Sequence, residues 1–381
     1  MPPSMWPGNN RLAVARTVVP PARCFPLMLI LPFLQIGKAT VKALLIVTAS
    51  ALPLAGLASQ QFDVSSAPGI TLAVTEVGQH HGKRPLLLVH GARVSSKPSF
   101  DLPVPGGSLA ADLAKRGFDV YTLDVRGYGA STRPAEMSLA PTTGAALVRT
   151  NAAVEDIDAA VDYVRRRSGG AKVALLGWAT GGQWVGHYAT LHSPKLSAVI
   201  MLNSLYRGTS PHPLIGRGTA MEDKQHPGAY SNAACGNYRL TDAASILGPW
   251  DRTLGEEKNR ARDPAVAKAY VDAALDSDAT SSQREPRSFR APCGAMEDSF
   301  YLATGRQLWD ASLITAPVLA IAGEKDFWSR PEDMQNLQAD LVHSPAVRMV
   351  RIPNATHFLH LEWPARGRAQ LIDEVDGFVP R

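Results

Sequence analysis

Short apolar runs recur along most of the chain, separated by stretches in which apolar residues are spaced about one helical turn apart. Ile70–Val77, Pro85–Val89, Phe118–Leu123, Lys172–Gly177, Leu196–Leu202, Ala316–Ala322 and Val347–Ile352 read as strands. Between them, Val154, Ile157, Val161 and Val164 fall at helical spacing within Asn151–Arg167. Leu109–Lys115, Gly182–Leu191 and Pro331–Leu341 read the same way, and Trp363–Val379 reads as a closing helix. Largely apolar strands alternating with helices predict an α/β fold: a mostly parallel sheet covered by helices on both faces. The rhythm breaks after Asn203. Residues 205–314 are rich in Gly, Pro, Ser and charge, with helix-like pieces such as Pro264–Leu275. An insertion between strands of a resumed sheet is expected to form a cap, or lid. The organisation is therefore a core in two parts, 59–204 and 315–381, with a cap at 205–314 and a leader at 1–58.

The leader differs in character from the rest of the chain. Lys38 and Lys42 precede the apolar run Ala43–Ala58, which carries small residues at Gly56 and Ala58. That pattern fits a secretory signal cleaved near Ala58, giving an exported protein, periplasmic or secreted. Pro53 interrupts the run, which is short for a membrane span. A second apolar patch, Phe25–Ile36, keeps an N-terminal membrane anchor open as the alternative, and a start at Met28 would leave a leader of conventional length. Once the leader is removed, no stable span is expected. The net charge of +5 is spread along the chain, with no basic stripe interleaved with aromatics, so nucleic acid is not an expected partner. Of the three cysteines, Cys24 lies in the leader. In an exported protein Cys235 and Cys293 are the candidate disulfide, the alternative being two unpaired buried thiols. No CxxC motif or His/Cys cluster with metal spacing is present in the sequence, so no metal or cofactor is expected.

In open α/β sheets ligands bind beyond the carboxyl ends of the strands, and the chemically suggestive residues lie there. Gly177-Trp178-Ala179-Thr180-Gly181-Gly182 follows an apolar strand and opens a helix. It has the form of a Gly-x-Ser-x-Gly nucleophile elbow with Ala179 at the tip. Asp326 follows a later strand, and His357 follows the last. A carboxylate in that place can orient an imidazole, and the imidazole can act as general base. Glu324 is the rival acid and His360 the rival base. The amides of Ala92, after His90-Gly91, and of Thr180, after the tip, are the candidate oxyanion donors. Asp124 and Arg126 are expected to tie a loop together, and His90 to be structural.

The residues His90-Gly91, Asp124-x-Arg126-Gly127-x-Gly129-x-Ser131, the 177–182 elbow, Gly323-x-x-Asp326 and His357-Phe358 with Leu361-Glu362 resemble those of the α/β-hydrolase superfamily. The resemblance covers roughly residues 60–381 and implies an esterase, lipase or lactonase type of activity, a Ser-Asp-His mechanism without a cofactor, and a small-molecule ester or lactone as partner. Ala179 departs from the family, which carries Ser, or sometimes Cys or Asp, at the tip. Three readings stay open. The natural protein carries serine and this chain is an inactive variant; or Ala179 is natural and the His357–Asp326 dyad acts as general base in non-covalent chemistry; or the chain is a ligand-binding homologue without catalysis. Trp178, Phe327 and Trp328, with aromatic residues of the cap such as Trp250 and Tyr270, are expected to line the substrate pocket.

Overall fold

The computed structural model describes residues 59–80 and 84–381; the leader segment, with Cys24 and Met28, lies outside them. Ten strands are present among the described residues: β1 (Ser59–Ala67), β2 (Ile70–Val77), β3 (Pro85–Val89), β4 (Asp119–Leu123), β5 (Val173–Trp178), β6 (Leu196–Leu202), β7 (Tyr238–Asp242), β8 (Ser288–Pro292), β9 (Val318–Lys325) and β10 (Val347–Thr356). Eight of them form one sheet in the order β1-β2-β4-β3-β5-β6-β9-β10. From β4 to β10 every pairing is parallel. β1 and β2 form an antiparallel hairpin at one edge. The mostly parallel α/β architecture read from the sequence is the one observed.

The reason is visible in burial. Every residue of β3, β4 and β5 is buried, as expected for strands covered on both faces. The covering helices are α1 (Ser96–Phe100), α2 (Leu109–Lys115), α3 (Thr150–Arg167), α4 (Thr180–His192) and, later in the chain, α10 (Pro331–Asp340) and α11 (Arg368–Phe378). α3 packs on α4, and α2 packs on α11. The expected closing helix is shorter than its sequence pattern, because Gly367 takes a φ of 116° and separates a 3₁₀ turn, Pro364–Arg366, from α11. β1 was not predicted. Its sequence is polar and only Val64 is buried, so it carries no apolar signal; it is held by its backbone ladder to β2.

After Leu202 the chain leaves the sheet and rejoins it at Val318. The intervening segment has its own two-stranded antiparallel sheet, β7–β8. It also holds the short helices α5 (Ala243–Ile246), α6 (Gly248–Leu254) and α7 (Lys258–Ala261), then α8 (Pro264–Asp276) and α9 (Gly294–Ala303). α8 packs against α1, and the Trp250 ring of α6 stacks on Phe358 at 4.8 Å. Cys235 and Cys293 are joined in a disulfide, with Cα atoms 5.9 Å apart. One precedes β7 and the other follows β8, so the bond closes the open end of this small sheet across 58 residues of sequence. No helix among the described residues is long and apolar enough to cross a membrane.

Closing a loop of this length constrains the unfolded chain and typically stabilises a fold by about 2–4 kcal/mol. Replacing both Cys235 and Cys293 by Ala is expected to lower the unfolding free energy by about that amount in denaturant titrations. An unchanged midpoint would mean that the β7–β8 sheet is held without the bond.

Candidate active site

The elbow is built by a close approach of backbone to backbone. β5 ends at Trp178 and α4 begins at Thr180, so Ala179 alone makes the turn. It does so with φ 55° and ψ −117°, a conformation that L-residues rarely adopt. Glycines on either side make this possible. A Cβ on Gly177 would lie 2.1 Å from the Gly181 carbonyl oxygen, and one on Gly181 would lie 2.3 Å from that of Val89. The turn is pinned by the Ala179 amide, which donates to Leu202 O at 2.8 Å. A serine at the tip would carry the same backbone strain as the alanine.

The structure brings His357 and Asp326 together. The imidazole Nδ1 lies 2.7 Å from Asp326 Oδ1, and both side chains are almost fully buried. A carboxylate can only accept, so Nδ1 carries the proton and Nε2 is left with its lone pair. Asp326 is itself fixed by the amides of Trp328 (3.0 Å) and Ser329 (2.8 Å) and by the Ser329 hydroxyl. The rival residues sit elsewhere. Glu324 is exposed and accepts from the Asn354 amide. His360 is buried behind the site, its ring 4.4 Å from Trp178 and 6.0 Å from Phe100.

Ala92 reaches the elbow through Gly91, where an added Cβ would come within 3.3 Å of Ala179 Cβ. Among the described residues, the amides of Ala92 and Thr180 donate to no protein acceptor. The carbonyl of Ala92 is held by Tyr128 Oη at 2.9 Å and by Arg239 Nη2 at 3.1 Å, which fixes the loop. His90 is structural: Nδ1 donates to Gly91 O and Nε2 accepts the Val125 amide, a neutral tautomer that burial favours by lowering its pKa. Asp124 accepts from the amides of Ser96 and Ala130, and Arg126 pairs with Asp156, so both tie loops as expected.

Trp178, Phe327 and Trp328 surround His357, with ring separations of 5.2, 4.7 and 6.5 Å. Trp178 packs behind the histidine, its Nε1 donating to His357 O at 3.0 Å. Trp250 and Tyr270 close over Phe358 beside it. The site is enclosed: Ala179 and His357 are 7% and 6% exposed. A groove of about 760 Å³ lies elsewhere, lined by Lys97, Asp124, Lys268 and Asp272 among others, and touches neither residue.

Two residues of this geometry are not assigned a role by the sequence: Asn203, and Glu362, which the family resemblance marks without one. Asn203, at the end of β6, accepts the Gly323 amide at 2.8 Å and donates to His357 O at 3.0 Å. It thereby joins three strand ends, β6, β9 and β10, in one buried side chain. The available signal was a polar residue directly after a wholly apolar strand. Glu362 accepts from Thr356 Oγ1 and from Trp250 Nε1, linking the histidine loop to the inserted segment.

A mostly parallel sheet bearing an elbow after β5, an acid after β9 and a histidine after β10 is the architecture of an α/β hydrolase. The chain belongs to the alpha/beta hydrolase fold family, whose pattern matches residues 84–364. Among solved structures, E-2-(acetamidomethylene)succinate hydrolase is similar at 18% identity, over 84% of this chain and 99% of that one, with a TM-score of 0.55. A putative aryl esterase from Burkholderia cenocepacia aligns at 19% identity over 84% and 100% of the two chains, with a TM-score of 0.51. The thioesterase domain from the curacin biosynthetic pathway aligns at 15% identity over 84% and 99%, with a TM-score of 0.52. At these identities the likeness concerns the fold alone. No curated protein matches the sequence.

This geometry has two measurable consequences. Glycine relieves the strain at the elbow tip, worth about 1–3 kcal/mol, at an entropic cost of about 0.5–1 kcal/mol. Ala179→Gly is therefore expected to stabilise the protein by roughly 1 kcal/mol in urea titrations; destabilisation would show that the tip is unstrained. The second consequence concerns pH. Burial, then the charges of His357 and Arg368, hold His360 well below its ordinary pKa of 6.5. The unfolded chain takes up a proton near that value and the folded chain does not. Stability linked to neutral His360 is thus complete above about pH 6.5 and is lost as pH falls, at up to about 1.4 kcal/mol per unit. His90, His187 and His212 are shifted down by burial as well and act in the same direction. His360→Leu is expected to flatten the decline between pH 6.5 and 5, and an unchanged slope would contradict the assignment.

Proposed function

We propose that this site is that of a carboxylic ester or lactone hydrolase of the serine-hydrolase type, with Ala179 in the nucleophile's place and the attacking oxygen absent. The observation that carries the reading is the retained pairing of His357 with Asp326 beside a strained elbow. The turn at the tip has the strained backbone of a nucleophile elbow.

With serine at position 179, His357 Nε2 would take the hydroxyl proton as the oxygen adds to the ester carbonyl. The negative charge on the former carbonyl oxygen would be held by the Ala92 and Thr180 amides, which have no other acceptor among the described residues. The tetrahedral intermediate would collapse with loss of the alcohol, which receives its proton from His357. Water, deprotonated by the same imidazole, would then cleave the acyl-enzyme and release the acid. Asp326 keeps Nδ1 protonated and stabilises the imidazolium. The inserted segment, through Trp250 and Tyr270 over Phe358, acts as a cap that shapes the pocket. Export of the mature chain remains part of this reading, supported by the leader pattern and by the disulfide.

A second reading uses the chain as it stands. The His357–Asp326 dyad is complete without a serine, so it can act as a general base on a bound water. The two readings differ in what a restored hydroxyl does. Ala179→Ser is expected to raise the hydrolysis of short-chain aryl esters by roughly 10³-fold or more over the Ala179 protein. His357→Ala in that background should remove the gain. A serine variant no faster than the alanine protein would rule out the covalent route.

A further inference from the structure

Two arginines beside the oxyanion loop have no ionic partner. Arg93 directly follows Ala92, and Arg239 lies on β7 of the inserted segment. Each uses one of its five N–H groups within the protein: Arg93 Nη2 donates to Ser245 O at 2.9 Å, and Arg239 Nη2 to Ala92 O at 3.1 Å. The Nε of each is buried without a hydrogen-bond partner, and so is the Tyr230 hydroxyl. Arg93 and Arg239 act on each other electrostatically, and Tyr128, Tyr230 and Tyr270 are close enough to act on Arg239. Neither arginine forms an ion pair among the described residues. In contrast, Arg126, Arg149, Arg262, Arg290, Arg330 and Arg368 all do. Arg133 also lacks an ion pair, but both its Nη groups donate to carbonyls.

Two like charges held together in partly buried positions are unfavourable, and Asp242, which acts electrostatically on Arg93, forms no ion pair with it. The strain registers in Arg239, whose pKa burial and then Arg93 push down to about 10. Even so, both groups stay cationic at neutral pH. Arg93 directly follows, and Arg239 holds the carbonyl of, the residue whose amide is assigned to the developing oxyanion. Unsatisfied donors and positive charge without an ion pair beside the oxyanion loop are the complement of a negatively charged ligand group.

We propose that Arg93 and Arg239, with Tyr230, form a subsite for a carboxylate carried by the substrate, so that the preferred ester is a half-ester of a short dicarboxylic acid. The placement of the scissile carbonyl rests on the ester-hydrolase reading; the anion subsite itself does not. A planar guanidinium offers a carboxylate two parallel N–H donors, and the free Nε with its neighbouring Nη group is the edge suited to it. The carboxylate would replace the missing counter-charge and accept from the buried donors.

The test uses the Ala179 protein, in which bound ester is not consumed by the covalent route. Calorimetric titration would compare the monomethyl esters of malonic, succinic, glutaric and adipic acids with their neutral dimethyl counterparts. At least one half-ester is expected to bind about tenfold or more tightly than its diester, as for a hydrogen-bonded charge pair. Arg93→Gln and Arg239→Gln should each reduce that ratio to within about twofold, while Arg239→Lys should keep part of it. The paired-ester ratio in the unsubstituted chain needs no variant to fold. A ratio near one for every acid, or a ratio that survives both glutamine substitutions in folded protein, overturns the proposal. Ala179→Ser separates this from the reaction assignment. If it hydrolyses no ester while the arginine-dependent ratio persists, the hydrolase reading fails and the anion subsite stands. If it hydrolyses half-esters and diesters equally, the reaction stands and the subsite falls.

Discussion

The rest of the site depends on how closely the turn at Ala179 approaches its neighbours. The start of α4 lies so near β3 that a single methyl at Gly181 would collide with the Val89 carbonyl. That contact forces the chain from β5 into α4 in one residue and puts the Ala179 backbone at φ 55°. It also leaves the first amide of α4 at the positive end of the helix dipole, directly after the tip. Strain at the tip is the consequence of that packing, and it is independent of whether the tip carries a methyl or a hydroxymethyl group.

Around this turn the remaining groups are fixed by buried polar side chains. Asn203 joins the ends of β6, β9 and β10 through the Gly323 amide and the His357 carbonyl. Trp178 adds a second donor to that carbonyl from the elbow itself. Glu362 carries the linkage onward to Trp250, so the inserted segment and the histidine loop are positioned together. Asn203 and Trp178 are satisfied inside the protein, and Glu362 is bonded through one of its two oxygens. Arg93 and Arg239 are the contrast: their charge and free donors sit at the same centre with no internal use. Cationic groups with free donors beside the oxyanion loop point outward, to a ligand.

The parts of this arrangement that were legible in the sequence are those with an apolar or backbone signature. β3 and β5 are buried along their length and β6 at all but one position, so their hydrophobic runs marked the parallel sheet and the strand end at Ala179; the apolar runs of β9 and β10 marked those at Asp326 and His357. The glycines at 177 and 181 signalled the elbow because only a missing side chain permits the approach. β1 was invisible because an edge strand can be polar and still pair through its backbone. The choice between Asp326 and Glu324 depended on which side chain turns inward after β9, a matter of two residues that periodicity does not resolve. Arg239 lies far from Ala92 in sequence, on a strand of the inserted segment, and only the fold brings its guanidinium to the oxyanion loop.

The central claim is that the elbow, the dyad and the two free amides form one ester-binding centre that lacks a single oxygen. A crystal of the Ala179 protein soaked with a short aryl ester tests it directly. The account places the ester intact, its carbonyl carbon over Ala179 Cβ and its carbonyl oxygen about 2.7–3.1 Å from the amides of both Ala92 and Thr180. An ester found with its carbonyl turned away from those amides, or seated in the groove beside Asp124 and Lys97, would contradict it.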